Sequence, residues 1–180
     1  MTVAPALRAG RDEDAAAIIA LIGACWAEYP GCVMDVDGEV PELRALATYY
    51  AKQGGALWIA DADGAIAGMV GTRPLDEGAW EICKMYVSSA HRGAGLAQSL
   101  IDAAEGHARA NGARQMKLWT DTRFERAHRF YEKHGYLRQP GLRDLHDLSN
   151  SFEYHYVKSF PQIAASSPSP PARRQACPRT

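Results

Sequence analysis

The hydrophobic pattern changes period several times along the chain, and each change marks an element. Residues 11–28 repeat apolar side chains at three- and four-residue steps (Ala15, Ile18, Ile19, Ile22, Trp26), which predicts a helix with one buried face. Asp12, Glu13 and Asp14 sit in its first turn, where the helix dipole favours acid. Pro30-Gly31 ends it, and 32–41 lose the period, giving a loop that carries Asp35 and Asp37. Residues 42–53 return to the helical period, with Leu43, Leu46, Ala47 and Tyr50 on one stripe and Gly54-Gly55 as the stop.

Beyond that stop the pattern becomes that of strands. Segments 56–60 and 66–72 flank Asp61-Ala62-Asp63-Gly64, a turn sequence, and so predict a hairpin. Another strand is predicted over 79–87, then a glycine-containing loop over 88–95. Residues 96–111 form a strong helical stripe (Leu100, Ile101, Ala104, Ala108), closed by Asn111-Gly112. A strand over 114–120, a short helix over 125–134 closed by Gly135, and strands over 136–139 and 152–158 complete the series. A first strand over 3–8 is confined to a terminus or edge by Pro5.

This order predicts a mixed α/β (α+β) class, a sheet with helices on both faces. It lacks the regular alternation of a doubly wound dinucleotide fold. The end of the chain is rich in Ala, Ser and Pro without a packable stripe, so 1–160 is expected to be one domain and 161–180 a disordered tail.

Composition narrows the function classes. Hydrophobic residues make up 47% and charged residues 23% of the 180, which excludes wholesale disorder. Lys+Arg (20) balance Asp+Glu (21), so the basic excess of a nucleic-acid groove is missing and no nucleic-acid partner is expected. No run approaches the length of a membrane span and the N-terminus does not read as a signal peptide, so no membrane partner and a cytoplasmic location are expected. The cysteines (Cys25, Cys32, Cys83, Cys177) match no metal knuckle and read as reduced thiols, and no metal is expected.

The sharpest local signal is the stretch from Val87 to Ala97, where a strand ends, glycines follow and a helix begins. Helix N-termini present unpartnered N–H groups and the positive end of the dipole, which together hold phosphate. Gly93 and Gly95 let the backbone turn and approach a ligand closely. An ordinary strand-to-helix turn remains the plain alternative. The loop has neither P-loop nor GxGxxG spacing.

Arg92-Gly93-Ala94-Gly95-Leu96-Ala97 resembles the acyl-CoA loop of the GNAT acetyltransferase family, R/Q-x-x-G-x-G/A, with Arg92, Gly95 and Ala97 in its marked positions. The preceding Lys84-Met85-Tyr86-Val87 resembles that family's fourth strand. Ala127-His128-Arg129-Phe130-Tyr131-Glu132-Lys133-His134-Gly135-Tyr136 resembles its second signature, A-x-x-x-Y-x-K-x-G-F/Y. The resemblance covers roughly residues 3–158, and the stretch 144–156 resembles a bacterial small-molecule subgroup. Many relatives carry Asn three residues before the Ala of the second signature. Here that position is Phe124, which has no amide to offer.

The resemblance implies a GNAT-like acyl-CoA N-acyltransferase fold, with a central mixed, mostly antiparallel sheet flanked by helices. It implies acetyl-CoA as cofactor and an acetyl group passed directly to a primary amine of a small molecule. A protein or peptide amine is the second enzyme reading, and a non-catalytic acyl-CoA-binding module or a structural partner in a homodimer are the non-enzyme ones. A homodimer is a family-level expectation. Met85, Tyr86 and Val87 would contact the pantetheine arm, the backbone of Arg92, Gly93, Ala94, Gly95, Leu96 and Ala97 the pyrophosphate, and Phe124, Ala127 and Tyr131 the cofactor from the second signature.

Tyr131 is the candidate general acid, since a phenol stays protonated at neutral pH. Packing beside Phe130 is its plain alternative. Glu81 is the candidate base. On a regular strand it shares parity with Cys83, Met85 and Val87, and a carboxylate on an apolar face is unusual unless paired or functional. Its alternatives are a rim residue, a salt-bridge partner, or a bulge that turns it outward. Glu28, Tyr29, Asp35, Asp121, Arg123 and His155 are candidate acceptor contacts by their positions in the early loop, after a strand and on the last strand.

Overall fold

A computed structural model describes residues 5–62 and 64–161. Most of the predicted tail and residues 1–4, which include the first two residues of the strand predicted over 3–8, lie outside the described residues. The described part is a mixed α/β fold, a mostly antiparallel sheet flanked by helices. Its elements are β1 (Ala6–Ala9), α1 (Ala15–Trp26), α2 (Leu46–Lys52), β2 (Ala56–Ala62), β3 (Ala65–Pro74), β4 (Ala79–Val87), α3 (Leu96–Ala110), β5 (Gln115–Asp121), α4 (Glu125–Lys133), β6 (Leu137–Arg138), β7 (Arg143–Asp144) and β8 (Phe152–Ser159). Both predicted early helices begin as tighter 3-10 turns, Asp12–Asp14 and Pro41–Ala45. β7 has only two residues, too few to leave a periodic trace.

The sheet runs β1-β2-β3-β4-β5-β8-β6, with β7 also on β8. Every pairing is antiparallel except β4 with β5. The hairpin expected around 61–64 joins β2 to β3. Asp61 Oδ1 accepts the Gly64 N–H at 2.9 Å, and Gly64 takes φ +86°, so aspartate and glycine together fix the turn.

Each sheet face has its own core. Leu100, Ile101, Ala104 and Ala108 of α3 are buried with Val70, Ile82, Met116, Leu118 and Tyr156 of the strands. Ile18 and Ile22 of α1 pack with Leu46 and Tyr50 of α2 and with Ile59 and Met69 on the other face. A fully buried Leu or Ile contributes about 1.5–3 kcal/mol by leaving water, so the two stripes hold the helices on opposite sides. α4 joins the α3 side through Tyr131.

Candidate active site

β4 and β5 run in register only from Ala79↔Gln115 to Ile82↔Leu118. β4 then continues to Val87 and β5 to Asp121 without pairing to each other, so the sheet opens in a wedge. A bulge accompanies the parting. Cys83 opposes Gly71 but Tyr86 opposes Met69, which leaves Val70 facing two residues of β4. Lys84 takes φ +46°, a left-handed conformation uncommon outside glycine. Its ammonium is held by Glu42 at 2.8 Å.

The bulge corrects the parity expected of a regular strand. Trp80, Ile82, Met85 and Val87 pack with the α3 core, whereas Cys83 and Tyr86 pack with the α1 core. Glu81 therefore does not share a face with Met85 and Val87. Its carboxylate accepts Arg73 Nε at 2.8 Å and lies 2.7 Å from Arg73 Nη2, so Glu81 is a salt-bridge partner. Glu81 lines neither of the two cavities that open from the wedge.

The larger cavity, about 590 Å³, lies between the end of β4, the glycine loop, the start of α3 and the face of α4. Met85, Tyr86, Val87, Arg92, Gly93, Gly95, Ala97, Phe124, Ala127 and Tyr131, all expected cofactor contacts, line it. Gly93 and Gly95 take φ +81° and +84°, and no atom comes within 4 Å of where a Cβ would stand on either. The loop is thus open to a ligand on the side that side chains would fill. The first turn of α3 leaves the N–H groups of Leu96, Ala97 and Gln98 without helical partners. Arg126 and Lys133 add cations to the same walls, and His134 adds an imidazole ring. Backbone donors, a helix N-terminus and flanking cations suit a pyrophosphate, and the volume suits a long, flexible arm.

The smaller cavity, about 130 Å³, lies on the other side of the wedge. Met85, Tyr86, Phe124, Ala127 and Tyr131 line both cavities and so form the wall between them. Trp26, Cys32, Trp119, Asp121, Asp147 and Glu153 are among its other walls. Trp26 Nε1 donates to the Tyr86 hydroxyl at 3.0 Å. Two loops close this side: the Val33 N–H donates to Ser149 Oγ at 2.8 Å, and the Leu148 N–H to Glu39 Oε1 at 2.7 Å. Tyr131 is 7% exposed, burial pushes its phenol up from the ordinary value, and among the described residues its hydroxyl has no hydrogen-bond partner.

Ala94 and Leu96 are not in the cavity walls, and the Leu96 side chain is core. Arg92 turns to Glu28, with Nη1 and Nη2 at 2.7 Å from its two oxygens, and donates from Nε to the Val87 carbonyl at 3.0 Å. Glu28 is therefore a partner of the loop and not a wall of the smaller cavity. Tyr29 lines the larger cavity and packs on Phe124 at 4.6 Å. Asp35 accepts the Gly38 N–H at 2.9 Å within its own turn. Asp121 reaches the smaller cavity, but Arg123 occupies both its oxygens at 2.9 and 2.5 Å. Burial pushes the Asp121 carboxyl up, but the bonds from Arg123 outweigh it and leave the group below its ordinary range. Arg123 also donates to Ser151 Oγ at 2.9 Å, and His155 stacks on Trp119 at 4.5 Å; neither lines either of these two cavities.

The model of the acetyltransferase (GNAT) family matches residues 19–136, more than half of the chain. The chain belongs to the GNAT family. It is 34% identical over 137 residues to the uncharacterised N-acetyltransferase YjgM of Escherichia coli K12, covering 73% of this chain and 81% of that protein. It is 26% identical over 118 residues to human N-acetyltransferase 8, covering 63% of this chain and 50% of that one. In fold it is similar to a GNAT-family acetyltransferase of Staphylococcus aureus Mu50, with TM-score 0.76, 21% identity, and coverage of 87% of this chain and 99% of the other. It is also similar to yncA of Salmonella typhimurium, a putative acetyltransferase solved with its cofactor acetyl-CoA (TM-score 0.68, 16% identity, 92% and 99% covered).

Several wall residues of this GNAT chain escaped the sequence reading. Trp26 lay on the helical stripe and read as core. Trp119 lay in a strand of mixed pattern. Glu153 was hidden in an alternating strand, although it shares parity with His155 and sits opposite Asp121 in register. Asp147, Ser149 and Ser151 reach the site through the stretch 144–156, whose resemblance to a small-molecule subgroup assigned no role to single residues.

Proposed function

We propose that this GNAT chain transfers an acetyl group from acetyl-CoA to a primary amine of a small molecule while both are bound. The observation that carries this reading is the β4–β5 wedge: it sets a large cavity beside the glycine loop against a small one, with Tyr131 in the wall between them. When bound, acetyl-CoA supplies an activated thioester. The N–H groups that open α3 would hold its pyrophosphate, and Arg126 and Lys133 would offset its charge. β4 beyond Ile82 has no pairing to β5, so a main-chain amide near Met85 is available to polarise the thioester carbonyl. Tyr131, neutral and buried, would donate its proton to the departing thiolate. The small cavity is roofed by the loops joined through Val33–Ser149 and Glu39–Leu148, which favours a compact acceptor over a folded protein surface.

The test is a CoA-release screen against 2-phenylethylamine, spermidine, free amino acids and a peptide with an N-terminal alanine, beside acetyl-CoA titration by calorimetry. Release with one of the small amines is expected. Release with the peptide alone would move the reading to protein amines. Acetyl-CoA binding without release across the panel would make the chain a binding module, and absence of binding would remove the cofactor assignment.

A further inference from the structure

Glu81 stands outside both cavities, so the proton that an acceptor ammonium must lose needs another receiver. Glu153 on β8 lies in the wall of the small cavity, together with Tyr86, Trp119 and Tyr131. Its side chain is 16% exposed. Among the described residues the hydrogen bonds it accepts all fall on Oε2, from Arg143 Nε at 2.9 Å and from Arg143 Nη2. Arg143 in turn lies over the Trp119 ring, 4.1 Å from its centroid, which fixes the pair against the wall. Oε1 is left for a ligand. Asp121, opposite in register, has both oxygens committed to Arg123.

Burial pushes the Glu153 carboxyl up from its ordinary value, and the Arg143 guanidinium works against that. Arg143 of β7, Asp121 of β5, and Glu81 and Tyr86 of β4 act on it, and Lys84, Tyr131, Cys32 and Asp147 share the cavity wall with it. Asp121 and Glu81 push in the same direction as burial. A carboxylate with a raised proton affinity is better matched to receiving a proton near neutral pH than an exposed one.

We propose that Glu153 is the catalytic base, receiving the acceptor's proton at Oε1 from the cavity into which Tyr131 opens. This rests on the N-acetyltransferase reading and deepens it. The ammonium gives one proton to Glu153 and becomes a neutral amine. Its lone pair forms the C–N bond at the thioester carbonyl carbon, and the C–S bond breaks with its electron pair going to sulfur. The sulfur takes the Tyr131 proton, and the tyrosinate is reprotonated by the second proton that the new amide nitrogen sheds. Glu153 then returns its proton to water, so the sum is one amide, one free thiol and one released proton.

The experiment compares wild type, Glu153→Gln, Glu81→Gln and Arg143→Gln, using the panel amine with the highest wild-type kcat/KM. All four are first checked by thermal melting and acetyl-CoA titration. Glu153→Gln is expected to lower kcat/KM about a hundredfold and to abolish the acidic limb of its pH profile. Arg143→Gln keeps the carboxylate but removes its counter-charge, so the limb is expected to move to higher pH. Independently of turnover, carboxyl-carbon NMR of the glutamates should show one resonance titrating above the ordinary range in wild type and missing in Glu153→Gln. An unchanged limb in Glu153→Gln, or a limb lost in Glu81→Gln instead, would overturn the assignment while leaving acetyl transfer intact. Failure of wild type on every amine would overturn the transfer reading and this inference with it.

Discussion

Arg92 places its guanidinium fork on both carboxylate oxygens of Glu28, at 2.7 Å each, and so ties the glycine loop to the residues just past α1. The same cation holds Glu28 below the ordinary carboxylate range, against a smaller upward push from burial. The side chains are 24% and 34% exposed, so solvent screens the pair and its contribution is at most about 1 kcal/mol. Arg92 keeps its bond to the Val87 carbonyl without Glu28. Glu28→Gln should therefore loosen the loop without unfolding it, weakening acetyl-CoA binding up to about fivefold by titration calorimetry, and less in high salt. Tighter binding in the variant would show that Glu28 instead competes with the cofactor phosphates for Arg92.

Tyr131 separates binding from chemistry. Its ring packs with the α3 core, and its hydroxyl has no partner among the described residues, so removing that oxygen leaves no buried group unpaired. Tyr131→Phe should keep the acetyl-CoA Kd and the melting temperature of wild type and lower kcat by roughly a hundredfold. Equal turnover would reduce Tyr131 to a packing residue, the plain alternative that its place beside Phe130 suggested.

Gly95 tests the loop backbone alone. It caps α3 at φ +84° with open space where a Cβ would sit, so Gly95→Ala adds strain but no clash. An L side chain in this region costs about 1–2 kcal/mol, which lowers the melting temperature of a domain this size by a few degrees. Acetyl-CoA binding should weaken in parallel. Gly95→Asn should lose less on both measures, because asparagine tolerates the left-handed region.

What the sequence disclosed follows a physical divide. The α3 stripe and the hairpin at Asp61–Gly64 were legible because each is a local pattern, set by helical period or by turn chemistry. Gly93 and Gly95 were legible because positive φ selects glycine. The bulge at Lys84 breaks that rule: a lysine takes φ +46° and leaves no mark in composition. Parity counted across it consequently put Glu81 on the wrong face. The place of Glu28 near the early loop suggests an acceptor contact, but its partner lies 64 residues away. Glu153 meets Asp121 only through the β5–β8 register, which no window of neighbouring residues encodes.

The junction of β1 with α1 carries a pH-dependent share of stability. Arg8 donates from Nη1 and Nη2 to the two oxygens of Asp14 at 2.8 Å each, and the Arg11 N–H adds a bond at 2.9 Å. Arg8 holds the Asp14 carboxyl below its ordinary value, and burial opposes this without overcoming it. A carboxyl depressed in the folded state stabilises fully above its unfolded pKa of about 3.9, and that share is lost as pH falls through the folded value. Asp14→Asn should cost about 1.5–3 kcal/mol at neutral pH, the range for hydrogen bonds to a charged group. Urea melts at pH 7, 4 and 2 check the sign: the gap between wild type and variant should be widest at pH 7 and close towards pH 2. A gap that stays constant would mean that the shape of the contact, and not its charge, holds β1 against α1.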